Sequence, residues 1–404
     1  MPFAELLVNS HFNHFADSMD ETKGHACFEN AFRVGVHGPI HSASVPRQRM
    51  QSMDVLKFVA IFFVLWGHAE QYLLSGDYSD RMVYRHIYSF HMPLFMMISG
   101  FFFAMTVKPK VMENIIGKAR QLLLPAVCWS VIFIVIAIVF TRQNLSFDSI
   151  RYGMMQSLWF LKSAFACSML GLVPFLFFRR RHFGAACVVT LLLSQLLAVI
   201  PVINLPFMYP AFLVGGLIYI YHDRFQYSAR WIIPVCGFVW IVCNVFLDGE
   251  AYRSMVPGPQ QIPQSVGLKV AWRLYKYVMG LCGAVAFMAL FEVIFAKPKS
   301  GRMISVSAEW GKMTLGIYVI QAWVLETALA HFVKFDGVPD SLFDFVISPL
   351  VALAVMAVCV CVIRLIRRNG FVSFLLLGTK WPASPKLAGE NDAAAQKQKS
   401  ADNH

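Results

Sequence analysis

Two histidines lie inside long apolar runs near the start of the chain. His68 lies in the run 55–74, and His91 lies in the next run, two residues before Pro93. An ionisable side chain is costly inside a membrane and is usually kept there for a function. Imidazole gains or loses its proton near neutral pH, so it can serve as a general base or acid. The two histidines therefore indicate proton chemistry within a membrane.

Each histidine also has a purely structural interpretation. His68 could pack between helices and hydrogen-bond to a neighbour, and His91 could bond a backbone carbonyl that Pro93 leaves without its usual donor. The two depths are compatible, because His68 lies about 16 Å along a helix from Lys57 at the inner face, and His91 about 13 Å from the outer end of its run. Whether the two rings face one another is left open by the sequence.

The composition is that of an integral membrane protein. Of 404 residues, 57% are hydrophobic and 14% are charged, whereas soluble domains carry about 25% charged residues. The apolar runs last about 17–25 residues, the length of a membrane-spanning helix, while the strands of a β-barrel span about 10 alternating residues. We predict an all-α integral membrane protein, a bundle of about ten transmembrane helices. Their approximate bounds are 55–74, 82–105, 122–140, 154–178, 184–203, 206–221, 231–247, 271–295, 313–333 and 345–366.

Polar ends flank the predicted transmembrane domain, which covers residues 48–381. Residues 1–47 form a polar tail that we expect to be disordered and to contain no signal peptide. Met50 or Met53 would make a natural start, so translation of residues 1–49 stays open. Residues 382–404 are rich in Ala, Gln, Lys and Asn, and we expect them to form a disordered cytoplasmic tail.

Basic residues concentrate in alternate loops between the runs. The richer loops hold Lys108, Lys110, Lys118, Arg120, Arg179, Arg180, Arg181, Arg224, Arg230, Lys297, Lys299, Arg302 and Lys312. The other loops hold Arg81, Arg142, Arg151, Arg253, Lys269 and Lys334. Basic loops stay in the cytoplasm, so both termini are predicted to be cytoplasmic. Because this clustering accounts for the net charge of +12, we predict a lipid bilayer as partner and no nucleic acid.

No metal or disulfide site is predicted. The nine cysteines are scattered, mostly inside apolar runs, without the spacing of metal ligands or of a disulfide framework. They are best explained as small buried hydrophobic residues. The histidines of the polar tail are irregularly spaced.

Three basic residues near the predicted inner face are candidates for binding a phosphorylated carrier. They are Lys57, Lys118 and Arg120. Phosphate groups pair strongly with lysine and arginine, although interfacial residues that only set the orientation of the chain would have the same pattern. Asp54 is predicted to cap the first helix.

Six segments resemble, in order, the membrane acyltransferase-3 family, which includes fucose 4-O-acetylase-like proteins and O-antigen acetylases. They are Asp54-Val-Leu-Lys57-Phe-Val-Ala-Ile-Phe-Phe-Val-Leu-Trp-Gly-His68, Phe90-His-Met-Pro-Leu-Phe-Met-Met-Ile-Ser-Gly-Phe101, Arg120-Gln-Leu-Leu-Leu-Pro125, Leu158-Trp-Phe-Leu161, Tyr209-Pro-Ala-Phe-Leu-Val-Gly215 and Gly311-Lys-Met-Thr-Leu-Gly-Ile-Tyr318. The resemblance covers about residues 48–370.

The resemblance implies a multi-pass acyltransferase of the cell inner membrane. It implies acyl-CoA, usually acetyl-CoA, as the cytoplasmic donor, and a hydroxyl of an envelope or surface carbohydrate or glycolipid as the acceptor. Carried onto this chain, it makes His68 the catalytic base and gives Lys57 a role at the donor.

The chain departs from the family pattern at three places. Lys57 stands where the family commonly has arginine, and lysine offers a point charge rather than a planar fork. The paired-arginine motif is reduced to Lys118-Ala-Arg120-Gln121, and Gln321 stands where histidine often follows the late Ile-Tyr element.

The leading hypothesis is an O-acyltransferase with His68 as base and His91 as a second proton-handling or orienting group. The candidate donor-binding residues are Lys57, Lys118 and Arg120. The candidate substrate contacts are Trp159, Ser99 and Glu70, with aromatic stacking as the option for the tryptophan. Packing is the alternative for Trp159 and Ser99, and a place at the outer interface is the alternative for Glu70. A proton-coupled transporter of a small molecule or glycan precursor and a non-catalytic subunit are the competing functions, and the acyl group, a covalent intermediate and the oligomeric state are left open.

Overall fold

The computed structural model describes residues 47–141, 158–176, 182–197, 204–249, 251–252, 265–296 and 301–380. All regular structure in these ranges is helical. The helices are α1 (Arg47–Tyr72), α2 (Met82–Thr106), α3 (Val111–Lys118), α4 (Leu124–Thr141), α5 (Trp159–Leu176), α6 (Phe183–Leu196), α7 (Leu205–Ile220), α8 (His222–Val245), α9 (Val266–Ile294), α10 (Arg302–Gly311), α11 (Thr314–Gln321), α12 (Ala330–Phe332), α13 (Asp340–Leu342), α14 (Ser348–Ile366) and α15 (Gly370–Leu377). Short π-helical segments, Ala119–Leu123, Ala322–Leu329 and Phe343–Ile347, join α3 to α4, α11 to α12 and α13 to α14.

Eight helical segments of the described chain are long and apolar enough to cross a membrane. Two further apolar helices, α6 and α7, are shorter. Together these segments follow the ten predicted apolar runs in order. The structure is thus the predicted all-helical bundle, while the number of crossings and the cytoplasmic position of the termini stay predictions. The predicted tails lie outside the described residues, as do the loop bases Arg142, Arg151, Arg179, Arg180, Arg181, Arg253, Lys297 and Lys299.

The prediction that Asp54 caps the first helix is wrong. Helix α1 already begins at Arg47, so Asp54 lies well inside it, and a cap must stand at the helix end. Its carboxylate instead accepts a hydrogen bond from Lys57 at 2.8 Å, one turn farther on. The same carboxylate lies 3.9 Å from the Lys312 ammonium, so Asp54 links α1 to the segment that precedes α11.

The third predicted span starts earlier than expected. Lys118 and Arg120 lie inside a continuous helical segment, α3 through α4, rather than in a loop before it. Pro125 explains the π-helical turn at Ala119–Leu123, because proline has no N–H for the carbonyl four residues back and local widening of the helix absorbs that loss. Arg120 lies at the end of the bundle where Lys312, Arg367 and Lys380 also lie.

Helix α2 lies at the centre of the bundle and packs against α7 and α9. At the α2–α7 contact, a Cβ on Gly100 would lie 1.8 Å from the Phe212 carbonyl oxygen, and one on Gly215 would lie 1.8 Å from that of Met97. Small residues let the two backbones approach closely, as is usual for helices packed in membranes. This contact fixes the half of α2 beyond Pro93 against α7.

The loop after α1 is tied to the segment after α12. The Ser75 backbone N–H and hydroxyl both donate to the Asp336 carboxylate at 2.7 Å. These hydrogen bonds hold the pKa of Asp336 below its ordinary value. Lys334 donates to the Tyr72 carbonyl at 2.7 Å. The end of α1, which carries His68, is therefore hydrogen-bonded to the segment that follows Glu326.

Candidate active site

A cavity of about 740 Å³ lies at one end of the bundle, and both His68 and His91 line it. Its wall also includes Trp159, Lys276 and Glu326. This volume lies within the range of about 300–1,000 Å³ that small-molecule sites occupy. The structure thus brings together three of the residues that the sequence singled out and two that it did not.

The lining residues identify the end of the bundle at which the cavity lies. They come from the late part of the first crossing (His68) and the early part of the second (His91), fourth (Trp159) and eighth (Lys276). Because successive crossings run in opposite directions, the late part of an odd-numbered crossing and the early part of an even-numbered one lie at the same end of the bundle. That end is opposite the base-rich loops, so the positive-inside rule predicts that the cavity faces outward.

His68 forms a close pair with a carboxylate of the ninth crossing. Its Nδ1 lies 3.2 Å from Glu326 Oε1, and the two side chains are 18% and 26% exposed. The contact has ion-pair distance, but the ring N–H is not aligned for a hydrogen bond. Because Nδ1 is covered, the exposure of the ring falls on the edge that carries Nε2. This arrangement leaves Nε2 free to take a proton from a molecule in the cavity.

Two further side chains hold Glu326. Gln321 Nε2 donates to the same carboxylate at 3.3 Å, and the Tyr72 side chain also contacts it. The Tyr72 ring stacks on the His68 ring, with centroids 5.7 Å apart and an interplanar angle of 5°. Gln321, which departs from the family pattern, therefore lies at the site and supports the carboxylate beside His68.

His91 is almost fully buried in the wall of the cavity. Its Nδ1 lies 2.7 Å from the Ile87 carbonyl oxygen, so that nitrogen carries the proton and donates it. Proline has no N–H, so Pro93 leaves the Ser89 carbonyl, four residues earlier, without its helical donor. The structural interpretation of His91 expected a hydrogen bond to that carbonyl, whereas the observed bond is to Ile87. The assignment leaves Nε2 of His91 as an acceptor.

Tyr88 lies between the two histidines. Its ring meets the His91 ring edge-on with centroids 4.6 Å apart and the His68 ring with centroids 6.4 Å apart. The Tyr88 hydroxyl donates to Gln71 Oε1 at 2.9 Å, and the ring stacks on Tyr84 at 4.0 Å. The histidines thus share one aromatic wall, which suits the apolar face of a sugar ring.

Sequence reasoning missed Glu326 and Lys276. Each is an ionisable residue within an apolar helical segment, Thr314–Phe332 and Gly267–Ile294, which is the same signal that pointed to His68. They went unnoticed because neither residue falls within a matched motif and both lie far from His68 along the chain.

A second cavity, of about 410 Å³, lies at the opposite end of the bundle. Its lining includes four cations and no acidic residue: Arg120, Lys312, Arg367 and Lys380. Nε of Arg120 is buried and has no hydrogen-bond partner among the described residues. An unmet buried donor is unfavourable unless a ligand or water completes it, and phosphate oxygens suit arginine and lysine.

The other two predicted donor residues lie elsewhere. Lys57 is bonded to Asp54, and its ammonium lies 3.8 Å from the centroid of the Phe102 ring. The Lys118 ammonium lies 5.5 Å from the centroid of the Phe103 ring. Neither lines the four-cation cavity, and their predicted roles at the donor have no support from these positions.

Glu70 and Ser99 do not line the larger cavity either. Glu70 is buried near the end of α1, and its carboxylate accepts a hydrogen bond from Arg81 Nε at 3.0 Å. Arg81 also contacts Asp344. The Ser99 hydroxyl donates to the Phe95 carbonyl of its own helix at 2.9 Å. Both side chains are occupied structurally, and only Trp159 of the three predicted substrate contacts reaches the cavity.

The residues that the structure describes do not meet the requirements of a metal site. No group of three His, Cys, Asp or Glu side chains there could hold an ion.

Comparisons with known proteins identify the family of this chain. The model of the acyltransferase-3 family, described as an acyltransferase domain, matches residues 50–367. The chain is 24% identical over 373 residues to the nodulation protein NolL of Mesorhizobium japonicum, a match that covers 88% of this chain and 96% of the relative. It is 24% identical over 349 residues to NolL of Sinorhizobium fredii, covering 81% and 91%. No solved structure matches significantly. Since the family match covers more than three quarters of the chain, the protein belongs to the acyltransferase-3 family and is a membrane-embedded O-acyltransferase.

Proposed function

We propose that this enzyme moves an acetyl group from cytoplasmic acetyl-CoA to a hydroxyl of an envelope or surface carbohydrate, across the cell inner membrane. The observation that carries the proposal is the pairing of His68 with Glu326 in a cavity at one end of the bundle. The four-cation cavity at the opposite end supports a separate donor site. A donor from one side and an acceptor from the other would then meet at the histidine.

His68 acts as the general base in this proposal. Its Nε2 takes the proton of the acceptor hydroxyl while that oxygen attacks the acetyl carbonyl carbon. The bond from carbon to sulfur breaks, the acetyl ester of the sugar forms, and the proton passes on to the departing thiolate of CoA. Proton transfer by a positioned side chain contributes about 10²–10⁴-fold to such a reaction.

Glu326 is the positioning residue of the base. The imidazole becomes an imidazolium as it takes the proton, and a carboxylate 3.2 Å away stabilises that charge and holds the ring so that Nε2 faces the cavity. His91, with its Nδ1 proton committed to Ile87, presents an acceptor nitrogen that orients a second hydroxyl of the sugar.

The proposed donor site binds the phosphates of CoA through the positive charges of its side chains. Arg120, Lys312, Arg367 and Lys380 surround the cavity at the base-rich end, and CoA carries its phosphates at the end remote from the thioester. Charge-assisted hydrogen bonds to phosphate are about twice as strong as neutral ones. Seating the nucleotide here directs the thioester arm toward the interior of the bundle.

Sealed membrane vesicles of defined orientation test the proposal. Radiolabelled acetyl-CoA is added outside inside-out or right-side-out vesicles that contain the enzyme and envelope glycans. We expect label in the glycan only with inside-out vesicles, because CoA does not cross a bilayer. Equal labelling in both orientations would contradict transfer across the membrane, and accumulation of unesterified glycan without label would favour the transporter alternative.

A further inference from the structure

Lys276 is an ionisable residue of the cavity to which the proposed reaction gives no role. It lies on α9, about 15 Å along the helix from its first residue, a depth close to that of His91 on α2. Its side chain is partly buried, and its ammonium sits 4.5 Å from the centroid of the Phe207 ring. The residue lines the same cavity as the two histidines.

The charge of Lys276 is not balanced by the protein around it. Glu326 is the one carboxylate among the described residues that line the cavity, and it is engaged by His68 and Gln321. Arg273, one turn nearer the start of α9, carries a charge of the same sign and so disfavours the charged form of Lys276. Burying an ammonium without a counter-ion is costly.

Lys276 therefore brings a positive charge to the cavity at the end of the bundle where basic residues are otherwise few. If Lys276 served only the fold, we would expect its ammonium to contact a carboxylate or a carbonyl oxygen. In the described structure it contacts the face of the Phe207 ring instead. An anion that enters with the acceptor would supply the missing charge, because ammonium groups bind carboxylate and phosphate oxygens strongly.

We propose that Lys276 forms a subsite for an anionic group of the acceptor, so that the substrate is an acidic glycan, bearing a carboxylate or a phosphate close to the acylated hydroxyl. This inference rests on the proposed function for the location of the acceptor, and it adds the charge class of that acceptor. Lys276 seats the anion on one wall of the cavity, and the hydroxyl is thereby presented to His68.

The test measures binding without acetyl-CoA, so that it stands apart from the transfer reaction. Purified enzyme is titrated with glucuronate, glucose 1-phosphate or glucose, and tryptophan fluorescence is followed, since Trp159 and Trp323 line the cavity. We expect the wild type to bind at least one anionic probe about tenfold or more tightly than glucose. The Lys276→Met variant should lose this preference and Lys276→Arg should keep it.

Lys269→Met is the matched control. It removes the same charge from an exposed position on the same helix that does not line the cavity, and screening by salt makes its effect small. Retention of the preference in Lys276→Met, or equal or undetectable binding of all three probes by the wild type, would overturn the subsite. Transfer of acetyl to an acidic glycan with the same KM in Lys276→Met as in the wild type would also overturn it, while leaving the acyltransferase proposal intact. The two anionic probes distinguish a carboxylate from a phosphate as the preferred group.

Discussion

Replacing Glu326 by glutamine tests the role of the His68–Glu326 pair that lines the larger cavity. The substitution keeps the size of the side chain and removes its charge. Two unit charges 3.2 Å apart interact by about 1.3 kcal/mol in water and by about 5 kcal/mol at an effective dielectric constant of about 20. Because Glu326 is a quarter exposed, with 26% of its side chain accessible, the loss should lie between these limits.

We expect the Glu326→Gln variant to lose about 2–3 kcal/mol of transition-state stabilisation, which corresponds to about 30- to 150-fold in kcat. The charge matters only once His68 has taken the proton, so the KM for acetyl-CoA and for the glycan should change little. Glu326→Asp keeps the charge and should recover part of the rate. The assay is steady-state transfer of radiolabelled acetyl from acetyl-CoA to envelope glycan in vesicles.

Glu309→Gln is the control for this measurement. Glu309 lies at the other end of the bundle, half exposed and paired with Arg364 at 3.0 Å, and it lines neither cavity. It should retain kcat within about twofold, as exposed ion pairs contribute little. If Glu326→Gln also retained its kcat, or if it lost activity through a raised KM alone, the positioning role assigned to Glu326 would be wrong.

Three further predictions concern the donor site, the acceptor wall and the packing of the bundle. Arg367→Gln should raise the KM for acetyl-CoA about tenfold, in line with the loss of one charge-assisted hydrogen bond, with kcat nearly unchanged in the same transfer assay; an unchanged KM would remove Arg367 from the donor site. Trp159→Ala should weaken glycan binding by about 1 kcal/mol, or about fivefold in KM, while Trp159→Phe keeps most of the stacking; equal effects of the two changes would contradict it. Gly215→Ala should destabilise the fold by about 1–3 kcal/mol or more, because the new Cβ meets a backbone carbonyl at 1.8 Å. Thermal unfolding in detergent checks this, and Gly184→Ala, where nothing lies within 4 Å, should leave the melting temperature unchanged.

The bundle and its order of helices could be predicted because a bilayer imposes length and hydrophobicity on each crossing. The predicted bounds for α2 were 82–105 against an observed Met82–Thr106. The start of the third crossing was missed by about a dozen residues, since its first turns carry Lys118 and Arg120 and so have the composition of a loop. Hydropathy cannot show that a helix begins before its apolar part does.

The two histidines could be predicted to lie at comparable depth on consecutive helices, and the structure adds that both line one cavity. Glu326 could not be placed beside His68, because the contact joins the first crossing to the ninth and depends on how the bundle closes. Glu70 illustrates the same limit. Its partner Arg81 lies across a loop, and only the folded chain shows that this carboxylate is neutralised away from the cavity.

The residues that line the four-cation cavity were the least predictable from the sequence. Lys57, at the position that the family resemblance assigned to the donor, is bonded to Asp54 one turn earlier on the same helix. Arg367 and Lys380, which lie near the C-terminal end of the sequence, line the four-cation cavity. In the sequence they are indistinguishable from the other basic residues that set the orientation of the chain.

The central claim is that His68 takes the proton of the acceptor hydroxyl. The most direct measurement is the rate of acetyl transfer from radiolabelled acetyl-CoA to envelope glycan by the wild type and by His68→Gln at equal amounts of folded protein. We expect the variant to be slower by about 10²–10⁴-fold, with binding of acetyl-CoA retained. Transfer by His68→Gln at a rate close to that of the wild type would contradict the mechanism, even though the fold and the family would stand.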